Sequence, residues 1–324
     1  MYYFSLAAKD ICKVNRCLLA SVLFCCGYFG FQLFGCVLGY YKRSVGLFAF
    51  NMRALGWNCR GICDASTVRA LRAQKRGHKP NIIFLCETKA NEERLEYVKR
   101  RVGFNEKVVI KAKGRAGGLC LMWKNNVQIE VVEFNKYMIA VKIMDLGGNW
   151  YLFGFYGPPH ATKKRKAWEN LCALLESFQE PWICFGDFNI VLDSEEKDGG
   201  RAESSMSLNF LKDILFELRA IDLGYPGSRF TWRKKRWGKN VIRERLDKGI
   251  SSMSWRLAFP KATIHHLGAI NFDHCPILLD TQPANHYFPR PFIFEADWTK
   301  DTKCYRVINE AWKEEVGGSE FLKL

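Results

Sequence analysis

The sequence contains no pair of cysteines at C-x-x-C spacing, although it has 13 cysteines in all. The nearest approach to such a pair is Cys59 with Cys63, and the six histidines form no cluster at metal-ligand spacing. This pattern is poor evidence for a zinc site. Several cysteines, such as Cys86 and Cys184, lie inside apolar runs, and we expect them to be buried thiols in a reducing compartment.

Acidic residues are also scarce, because 33 Asp and Glu stand against 49 Lys and Arg, which makes the formal net charge +16. Residues 1–51 hold five Lys or Arg and one acid, so the rest of the chain carries +12 of this charge. A basic globular domain is attracted to polyanions, and both nucleic acid and an anionic membrane satisfy that condition. The charge alone does not choose between these two partners.

Charged residues are absent from residues 17–41, and polar ones are few. A helix of this length could cross a membrane, which needs about 20 apolar residues, but Lys and Arg flank both ends and give no orientation. The run is too long for a secretory signal peptide and has no convincing cleavage site. Three interpretations remain open: a membrane anchor, a buried hydrophobic segment, or a stretch outside the working protein that was added by translation from an upstream start.

The third interpretation is favoured, because Met52 stands directly before the first strand that carries a candidate site residue. If translation starts near Met52, we expect a nuclear or cytoplasmic protein. If residues 17–41 are a true anchor, we expect the protein to be associated with a membrane.

Short apolar strands alternate with amphipathic helices after Met52. The pattern predicts strands at 53–58, 82–88 and 181–189, helices at 65–77, 91–101, 162–178 and 204–218, and later strands in FTW, ATIHHL and CPILLD. Four consecutive antiparallel strands are predicted between residues 117 and 157. Such mixed strands, with helices segregated between two strand-rich halves, predict a sheet-on-sheet α+β sandwich.

Polar side chains stand at the ends of several of these apolar strands. They are Asn58, Glu87, Asp187, Asn189, Asp273 and His274. A carboxylate at the end of a buried strand is costly unless it is paired or bound to a cation. Because strand ends at one rim of a sheet can converge, these groups predict a hard-oxygen site suited to Mg²⁺, with Mn²⁺ as an alternative.

Hydrolysis of a phosphodiester needs a cation that offsets charge on the phosphoryl oxygens, a carboxylate that positions or deprotonates water, and donors that bind the oxyanion. Taken alone, each motif has a simpler explanation, since an Asp in GDFN is commonly a turn former and an Asp-His pair is commonly a surface accident. Their joint occurrence in one order, at domain-scale spacing, makes coincidence a poor explanation.

An ordered set of motifs carries a family resemblance. It consists of WN at 57–58, ET at 87–88, YGPPH at 156–160, GDFN at 186–189, FTW at 230–232, RLD at 245–247 and DHCP at 273–276. The set resembles the endonuclease/exonuclease/phosphatase superfamily, which includes abasic-site endonucleases and deoxyribonuclease I. The local sequences MRALGWNCRG, GGLCLMW, FTWR, RERLDKG and DHCPILL are most similar to the endonuclease domain of plant non-LTR retrotransposons.

The resemblance covers roughly residues 52–280 and divides the chain into three parts. Residues 1–51 are a hydrophobic N-terminal extension, residues 52–282 are the endonuclease/exonuclease/phosphatase domain, and residues 283–324 are a linker and helix similar to the connector towards reverse transcriptase. The implied fold is α+β, a four-layer α/β/β/α sandwich with two packed mixed β-sheets.

The resemblance also implies a role for each matched residue. Glu87 would be the principal metal ligand, and Asn58 and Asp273 would complete or support the metal site. Asp187 would orient and activate the attacking water, helped by Asn189.

Three further residues would act on the scissile phosphate. His274 would donate to it, Asp247 would hold the His274 imidazole and favour its charged form, and Tyr156 would contact the phosphate. The implied protein is a monomer that binds Mg²⁺ and DNA and needs no small-molecule cofactor.

One position departs from the family pattern. The residue before the Asp-His pair is usually serine, and here it is Phe272. Its loss removes a hydroxyl near the site, and a bulky ring could shift Asp273. We therefore expect the fold to be kept, and a weakened or inactive enzyme is the alternative to an active endonuclease.

A basic segment between residues 229 and 248 is the best candidate for contact with DNA. Its predicted contact residues are Trp232, Arg233, Lys234, Lys235, Arg236 and Trp237. The cations suit backbone phosphates, and Trp237 could stack or wedge against a base. A charge run alone is more often a solvated loop, but beside a nuclease site we favour contact with DNA. For Trp232, a position near the nucleic-acid groove and one in the core are equally good interpretations.

Four functions remain open on these observations. They are an endonuclease that nicks target DNA, an abasic-site repair nuclease, a phosphatase of phosphoinositides or other small phosphate esters, and an inactive remnant. The basic loop and the connector-like tail favour nucleic acid over a lipid substrate.

Overall fold

Two six-stranded β-sheets lie face to face in the computed structural model, which describes residues 51–114, 116–145, 148–200, 205–236, 239–268 and 272–283. Helices cover the outer face of each sheet, so the predicted four-layer sandwich of two mixed sheets is confirmed.

Sheet 1 consists of β1 (Arg53–Asn58), β2 (Ile82–Cys86), β3 (Glu106–Ile110), β4 (Leu119–Trp123), β14 (Thr263–His266) and β15 (Ile277–Asp280). Its order is β14-β15-β1-β2-β4-β3. β1 and β2 are parallel, and the other neighbouring pairs are antiparallel.

Sheet 2 consists of β5 (Gln128–Asn135), β6 (Met138–Asp145), β7 (Gly148–Tyr156), β8 (Trp182–Asp187), β10 (Ala220–Asp222) and β13 (Asp247–Ser252). Its order is β10-β13-β8-β7-β6-β5, and only the β7–β8 pair is parallel. A smaller sheet, which we call the basic sheet, consists of β9 (Lys197–Asp198), β11 (Trp232–Arg236) and β12 (Lys239–Glu244), with β12 in the middle.

Five helices complete the described fold: α1 (Ala65–His78), α2 (Glu92–Val102), α3 (Ala161–Ser177), α4 (Ser205–Glu217) and α5 (Met253–Ala258). The first two helices begin and end where their sequences predict. The side chains of Asp64 and Asn91 accept amides of the first turns, which satisfies donors that have no partner inside a helix. Both helices carry Lys, Arg or His in the last turn, where a positive charge complements the helix dipole.

Apolar side chains fill the three interfaces between the four layers. Phe84 of sheet 1 and Phe185 of sheet 2 lie in the central layer, with ring centroids 6.0 Å apart. A Cβ atom on Gly154 would collide with the Phe84 ring, so this position of β7 needs glycine for the two sheets to approach. Leu71 packs between sheet 1 and its helices, and Trp168 packs between sheet 2 and α3.

The prediction of four consecutive antiparallel strands is wrong for the first of them. β4 lies in sheet 1 between β2 and β3, while β5, β6 and β7 form an antiparallel meander in sheet 2. β4 is buried on both faces along most of its length. A strand that is buried on both faces is apolar throughout, whichever sheet it belongs to. Its sequence pattern therefore does not identify the strands beside it.

Several strands lie where the sequence predicts none, namely β3, β9, β10, β12 and β13. β13 begins with Asp247 and Lys248, and both are almost fully buried. Charged residues at the start of a segment indicate a loop, since burial is costly unless each charge is paired. Here each charge has a partner, and the strand is central to the site.

Residues 1–50 and 284–324 lie outside the described residues, and so do the predicted hydrophobic segment at 17–41, the linker and the last helix. The boundaries of the three predicted domains therefore stay predictions. Within the described ranges, no helix is long and apolar enough to cross a membrane.

Candidate active site

Asn58 joins the two sheets at the end of the sandwich where β1, β2 and β8 finish. It is 2 % exposed, and both hydrogens of its Nδ2 are used. One is donated to Glu87 Oε1 at 3.0 Å and the other to Asp187 Oδ2 at 2.8 Å. A residue of sheet 1 thus holds a carboxylate of its own sheet beside a carboxylate of sheet 2.

Asp187 is a fully buried carboxylate held by several donors. Its Oδ1 accepts the amide of Asn189 at 2.9 Å, and its Oδ2 accepts the Nδ2 of Asn189 at 2.9 Å in addition to Asn58. Gly186 precedes it with a φ of 140°, and a Cβ there would collide with the Phe155 carbonyl, so the bend that presents Asp187 needs glycine. Burial, together with the charge of Asp247, raises the pKa of Asp187 to about 7, although the His274 charge and the hydrogen bonds from Asn58 and Asn189 oppose this shift.

His274 and Asp247 form a buried pair next to Asp187. The Nδ1 of His274 donates to Asp247 Oδ2 at 3.1 Å, and its Nε2 lies 4.0 Å from Asp187 Oδ2. The hydroxyl of Thr231 accepts the amides of Leu246 and Asp247 at 3.0 Å each, which fixes the start of β13. Burial opposes the charged imidazole, but the two carboxylates outweigh it and raise the pKa of His274 to about 9.

Glu87 lies on the sheet 1 side of the site. Its Oε1 accepts the Tyr156 hydroxyl at 3.0 Å in addition to Asn58, and its Oε2 lies 3.2 Å from Lys89 Nζ. Burial alone would raise the pKa of Glu87, but the hydrogen bonds from Asn58 and Lys89 and the Lys89 charge lower it. Burial and the Glu87 charge raise the pKa of Tyr156, so the phenol stays protonated and donates.

Asp273 completes the predicted set. Its Oδ1 accepts the amide of His274 at 3.1 Å, and its Oδ2 pairs with Arg60 Nη1 at 2.7 Å. The neighbouring Phe272 ring packs edge-on against Trp57, with centroids 5.0 Å apart. Trp57 in turn donates its Nε1 to the His274 carbonyl at 3.2 Å, so Phe272 packs on a residue that is bonded to the backbone of the site.

All eight predicted catalytic and metal-binding residues thus lie in one connected group. They are Asn58, Glu87, Tyr156, Asp187, Asn189, Asp247, Asp273 and His274. The predicted phosphate contact, Tyr156, bonds Glu87 in this structure.

The donor set fits a hard divalent cation. Asp187, Asp247 and His274 each place one ligand atom within 4.8 Å of the other two, but Asp247 and His274 already satisfy each other. The side chains of Glu87 and Asp273 are 15 % and 34 % exposed, and each pairs with a cationic side chain. Carboxylate and amide oxygens are the hard ligands that Mg²⁺ takes in proteins, and an ion bound here would replace the Lys89 and Arg60 charges at Glu87 and Asp273.

Backbone strain is concentrated at this site. Among the described residues other than glycine, six have a positive φ, and four of these are Arg60, Glu87, Lys89 and Asn189. Such conformations persist only where the surrounding structure enforces them, and they cluster at functional sites. The strain therefore marks Arg60 and Lys89 as members of the site, which the sequence patterns did not identify.

Other site residues were also missed. Thr231 lies in the FTW motif, but its hydroxyl carries the contact to β13. Lys164 donates to the Asn189 carbonyl at 2.6 Å from the start of α3. The signal for Arg60 and Lys89 was their position, two residues beyond Asn58 and Glu87 respectively.

The basic sheet lies beside this group of residues. The Trp232 ring is half-buried with its centroid 6.4 Å from that of His274, and the Arg233 amide donates to the Asp273 carbonyl at 2.9 Å. The side chains of Arg233 and Lys234 are exposed. Lys235 and Arg236 continue β11, but their side chains, and the whole of Trp237, lie outside the described part of the structure.

Several solved structures share this fold. An AP endonuclease from Archaeoglobus fulgidus aligns with a TM-score of 0.54 at 17% identity, over 70% of this chain and 98% of that chain. The endonuclease domain of TRAS1, a telomere-specific non-LTR retrotransposon, aligns with a TM-score of 0.52 at 15% identity, over 71% and 97%. The 3'-5' exonuclease NExo from Neisseria meningitidis aligns with a TM-score of 0.53 at 16% identity, over 70% of this chain and 98% of that chain.

At these identities the likeness shows a shared fold. A search of curated protein sequences finds no match to this chain. The sequence profile of the Endonuclease/Exonuclease/phosphatase family matches residues 55–248, which is more than half of the chain. With its two-sheet sandwich and its group of acidic, amide and histidine side chains at one end, the chain belongs to the Endonuclease/Exonuclease/phosphatase family.

Proposed function

We propose that this chain is a Mg²⁺-dependent DNA endonuclease of the non-LTR retrotransposon type. The observation that carries the proposal is the position of Asn58, which holds Glu87 and Asp187 together at 3.0 and 2.8 Å beside the His274–Asp247 pair. Members of this family are typically phosphodiesterase hydrolases, and this group contains the side chains that such a reaction requires.

Asp187 orients and deprotonates the attacking water. Its carboxylate is held by Asn58 and Asn189, so its direction is set before substrate arrives. A general base works best when its pKa is close to the working pH. The pKa of Asp187, raised by burial to about 7, meets that condition.

His274 donates to the non-bridging oxygens of the scissile phosphate. Asp247 holds its Nδ1 and stabilises the imidazolium, so Nε2 keeps its proton and faces the space beside Asp187. A fixed cationic donor stabilises charge that develops on the phosphate in the transition state.

Glu87 and Asp273 would hold the metal ion with the amide oxygen of Asn58. When bound, Mg²⁺ offsets negative charge on the phosphoryl oxygens. The Tyr156 hydroxyl keeps the Glu87 carboxylate in place through its 3.0 Å hydrogen bond.

The basic sheet favours DNA over a small phosphate ester. Its exposed Arg233 and Lys234 follow directly on Trp232, which lies beside His274. Cations in this position suit the phosphates that flank the cleaved bond. The local motifs similar to plant retrotransposon endonucleases, and the fold shared with the TRAS1 domain, favour target-DNA nicking over abasic-site repair.

The test is a plasmid assay with the full-length chain. We expect supercoiled DNA to be nicked in Mg²⁺ or Mn²⁺ and left intact in EDTA. Asp187→Asn should abolish nicking, and the matched control Asp213→Asn, an exposed acid on α4, should leave it unchanged. Cleavage restricted to abasic duplexes would replace the proposal with a repair nuclease. Release of phosphate from phosphoinositides without nicking would indicate a phosphatase, and a folded protein with neither activity would indicate a remnant.

A further inference from the structure

Four charged side chains form a cluster next to the candidate active site, and three of them are buried while Asp222 is partly exposed. They are Glu196, Asp222, Arg245 and Lys248, and the cluster contains two acids and two bases. Arg245 and Lys248 are 3 % and 0 % exposed. The mechanism uses none of the four, although burying ions is costly unless each one is paired.

Arg245 is the centre of this cluster. Its Nη1 and Nη2 donate to the two oxygens of Asp222 at 2.7 Å each, and its Nη1 also donates to Glu196 Oε1 at 2.5 Å. The guanidinium lies over the Tyr225 ring, 4.7 Å from its centroid. Three of the five guanidinium N–H groups are therefore paired with carboxylates, and the Nε atom has no hydrogen-bond partner among the described residues.

Glu196 also binds partners other than Arg245. Its Oε2 accepts Lys248 Nζ at 2.5 Å and the Leu192 amide at 2.6 Å. The Glu196 carbonyl accepts the Arg245 amide at 2.9 Å. Backbone and side chain thus tie the segment before β9 to the segment after β12.

The basic sheet is attached to this cluster at the start of β9 and the end of β12, which we call the base of the sheet. β9 begins at Lys197, the residue after Glu196, and β12 ends at Glu244, the residue before Arg245. Two ion pairs then join β9 to β12, Lys197 with Glu244 at 2.7 Å and Arg243 with Asp198 at 3.2 Å. A shift of Glu196 would therefore move β9 and, with it, the sheet.

The third strand, β11, is attached to the same base of the sheet through Thr231. Its amide donates to the Glu244 carbonyl at 3.1 Å, and β11 begins at the next residue. The Thr231 hydroxyl accepts the Asp247 amide, so the base of the sheet is also the support of the catalytic pair.

Asp222 differs from Glu196 in its connections. It ends β10 at the edge of sheet 2, and its Oδ1 accepts the Gly224 amide at 2.9 Å. None of its described contacts reaches the basic sheet except through Arg245. The two acids therefore neutralise the same guanidinium but are attached to different parts of the fold.

We propose that the Glu196–Arg245 ion pair is a positioning device that sets the orientation of the basic sheet over the active site. The sheet presents Arg233 and Lys234 to the DNA backbone, so its orientation determines which phosphate lies between Asp187 and His274. Glu196 is a positioning residue for the register of cleavage. This inference rests on the proposed function.

The experiment compares Glu196→Gln with Asp222→Asn in the full-length chain. Each variant removes one negative charge from Arg245 and keeps the side-chain size, and Glu196→Gln also removes the carboxylate partner of Lys248. On a duplex that the wild type nicks mainly at one phosphate, Glu196→Gln should raise KM by about tenfold with kcat within about twofold, because uniform binding is lost. Its nicks should spread to neighbouring phosphates, and Asp222→Asn should keep the wild-type position and KM.

Two results would overturn the inference. One is an equal effect of both substitutions, which would mean that the cluster only stabilises the fold. The other is an unchanged nick position in folded Glu196→Gln. If Glu196→Gln does not fold, Glu196→Asp replaces it. This variant keeps the negative charge, but its side chain is one methylene shorter, so pairing with Arg245 requires the start of β9 to move. A wild-type nick position in folded Glu196→Asp would equally reject the inference.

A footprint separates failure of this inference from failure of the proposed function. Hydroxyl-radical protection of the same duplex is measured with Ca²⁺ in place of Mg²⁺, so no cleavage is needed. A wild type that binds but never nicks would contradict the proposed function alone. A protected region that shifts in Glu196→Gln and stays in place in Asp222→Asn would still support the positioning role.

Discussion

The Nδ1 of His274 lies 3.1 Å from Asp247 Oδ2, and both side chains are almost fully buried. The pair joins residues 27 positions apart in the sequence, from the start of β13 and the loop before β15. Because the carboxylate holds the imidazole from behind, the charged form of His274 is favoured and its Nε2 faces the reacting groups.

Replacement of Asp247 by Asn should lower kcat/KM for nicking by about 10²- to 10⁴-fold, as expected when the donor to the transition-state phosphate loses its orientation. His274 acts in its protonated form, so activity should fall as the pH rises through its pKa of about 9. Without the Asp247 charge this pKa is lower, and the alkaline limb should move to lower pH. The measurement is kcat/KM against pH, and an unmoved limb would contradict the assignment.

Mg²⁺ should stabilise the folded protein as well as support its nicking activity. An ion at 100 times its Kd adds about 2.7 kcal/mol to the free energy of unfolding if it binds only the folded state. We expect the Tm to rise with Mg²⁺ in the wild type and not in Glu87→Gln. Glu176→Gln, which removes an exposed acid of α3, should respond like the wild type. A rise that persists in Glu87→Gln would place the ion elsewhere.

Serine at position 272 should not increase nicking, because Phe272 is part of the packing around Trp57. Loss of this half-buried ring should lower the free energy of unfolding by about 2 kcal/mol, roughly half the cost of removing a fully buried aromatic. Chemical denaturation of Phe272→Ser and Phe272→Leu measures this, with leucine expected to cost less. A large gain in nicking by Phe272→Ser would show that the phenylalanine damages the site.

His266 should make the fold sensitive to acid. Burial lowers its pKa to about 4, so its contribution to stability is complete above pH 6.5 and is lost as the pH falls towards 4. The free energy of unfolding should decrease by up to about 3 kcal/mol over this window. In His266→Asn, which keeps a donor for the Ser228 carbonyl, the difference between pH 6.5 and pH 4 should be smaller by that amount. All measurements are made in EDTA to exclude an effect of metal ions. An equal dependence of the free energy of unfolding on pH in the wild type and in His266→Asn would argue against a buried neutral imidazole.

The exposed cations of the basic sheet should determine the salt dependence of DNA binding. A plot of log K against log salt concentration has a slope of about −0.9 for each phosphate contact. The double substitution Arg233→Gln with Lys234→Gln should reduce the magnitude of the slope by about 1.8 if each cation meets one phosphate. The matched control is Lys75→Gln with Arg76→Gln at the far end of α1. An equal change in both pairs would indicate general attraction to the polyanion without a defined contact surface.

Much of the candidate site follows from the sequence alone, for a physical reason. Asn58, Glu87 and Asp187 each end an apolar run, and a strand that is buried on both faces exposes polar groups only where it stops. The ordered motifs therefore determined the family, the two-sheet sandwich and the eight catalytic and metal-binding candidates. In the structure, Asp64 and Asn91 cap the first turns of α1 and α2, and Gly103 ends α2.

Only the tertiary structure decided which groups meet. Arg60 pairs with Asp273, and Glu196 pairs with Arg245 across 49 positions, and no periodic pattern encodes a partner at such a distance. The same reason places β4 in sheet 1, since periodicity reports how many faces of a strand are buried but not which strand lies beside it. The sequence by itself determined the family and the chemical groups of this protein, and long-range packing decided how the basic sheet is set against the catalytic pair.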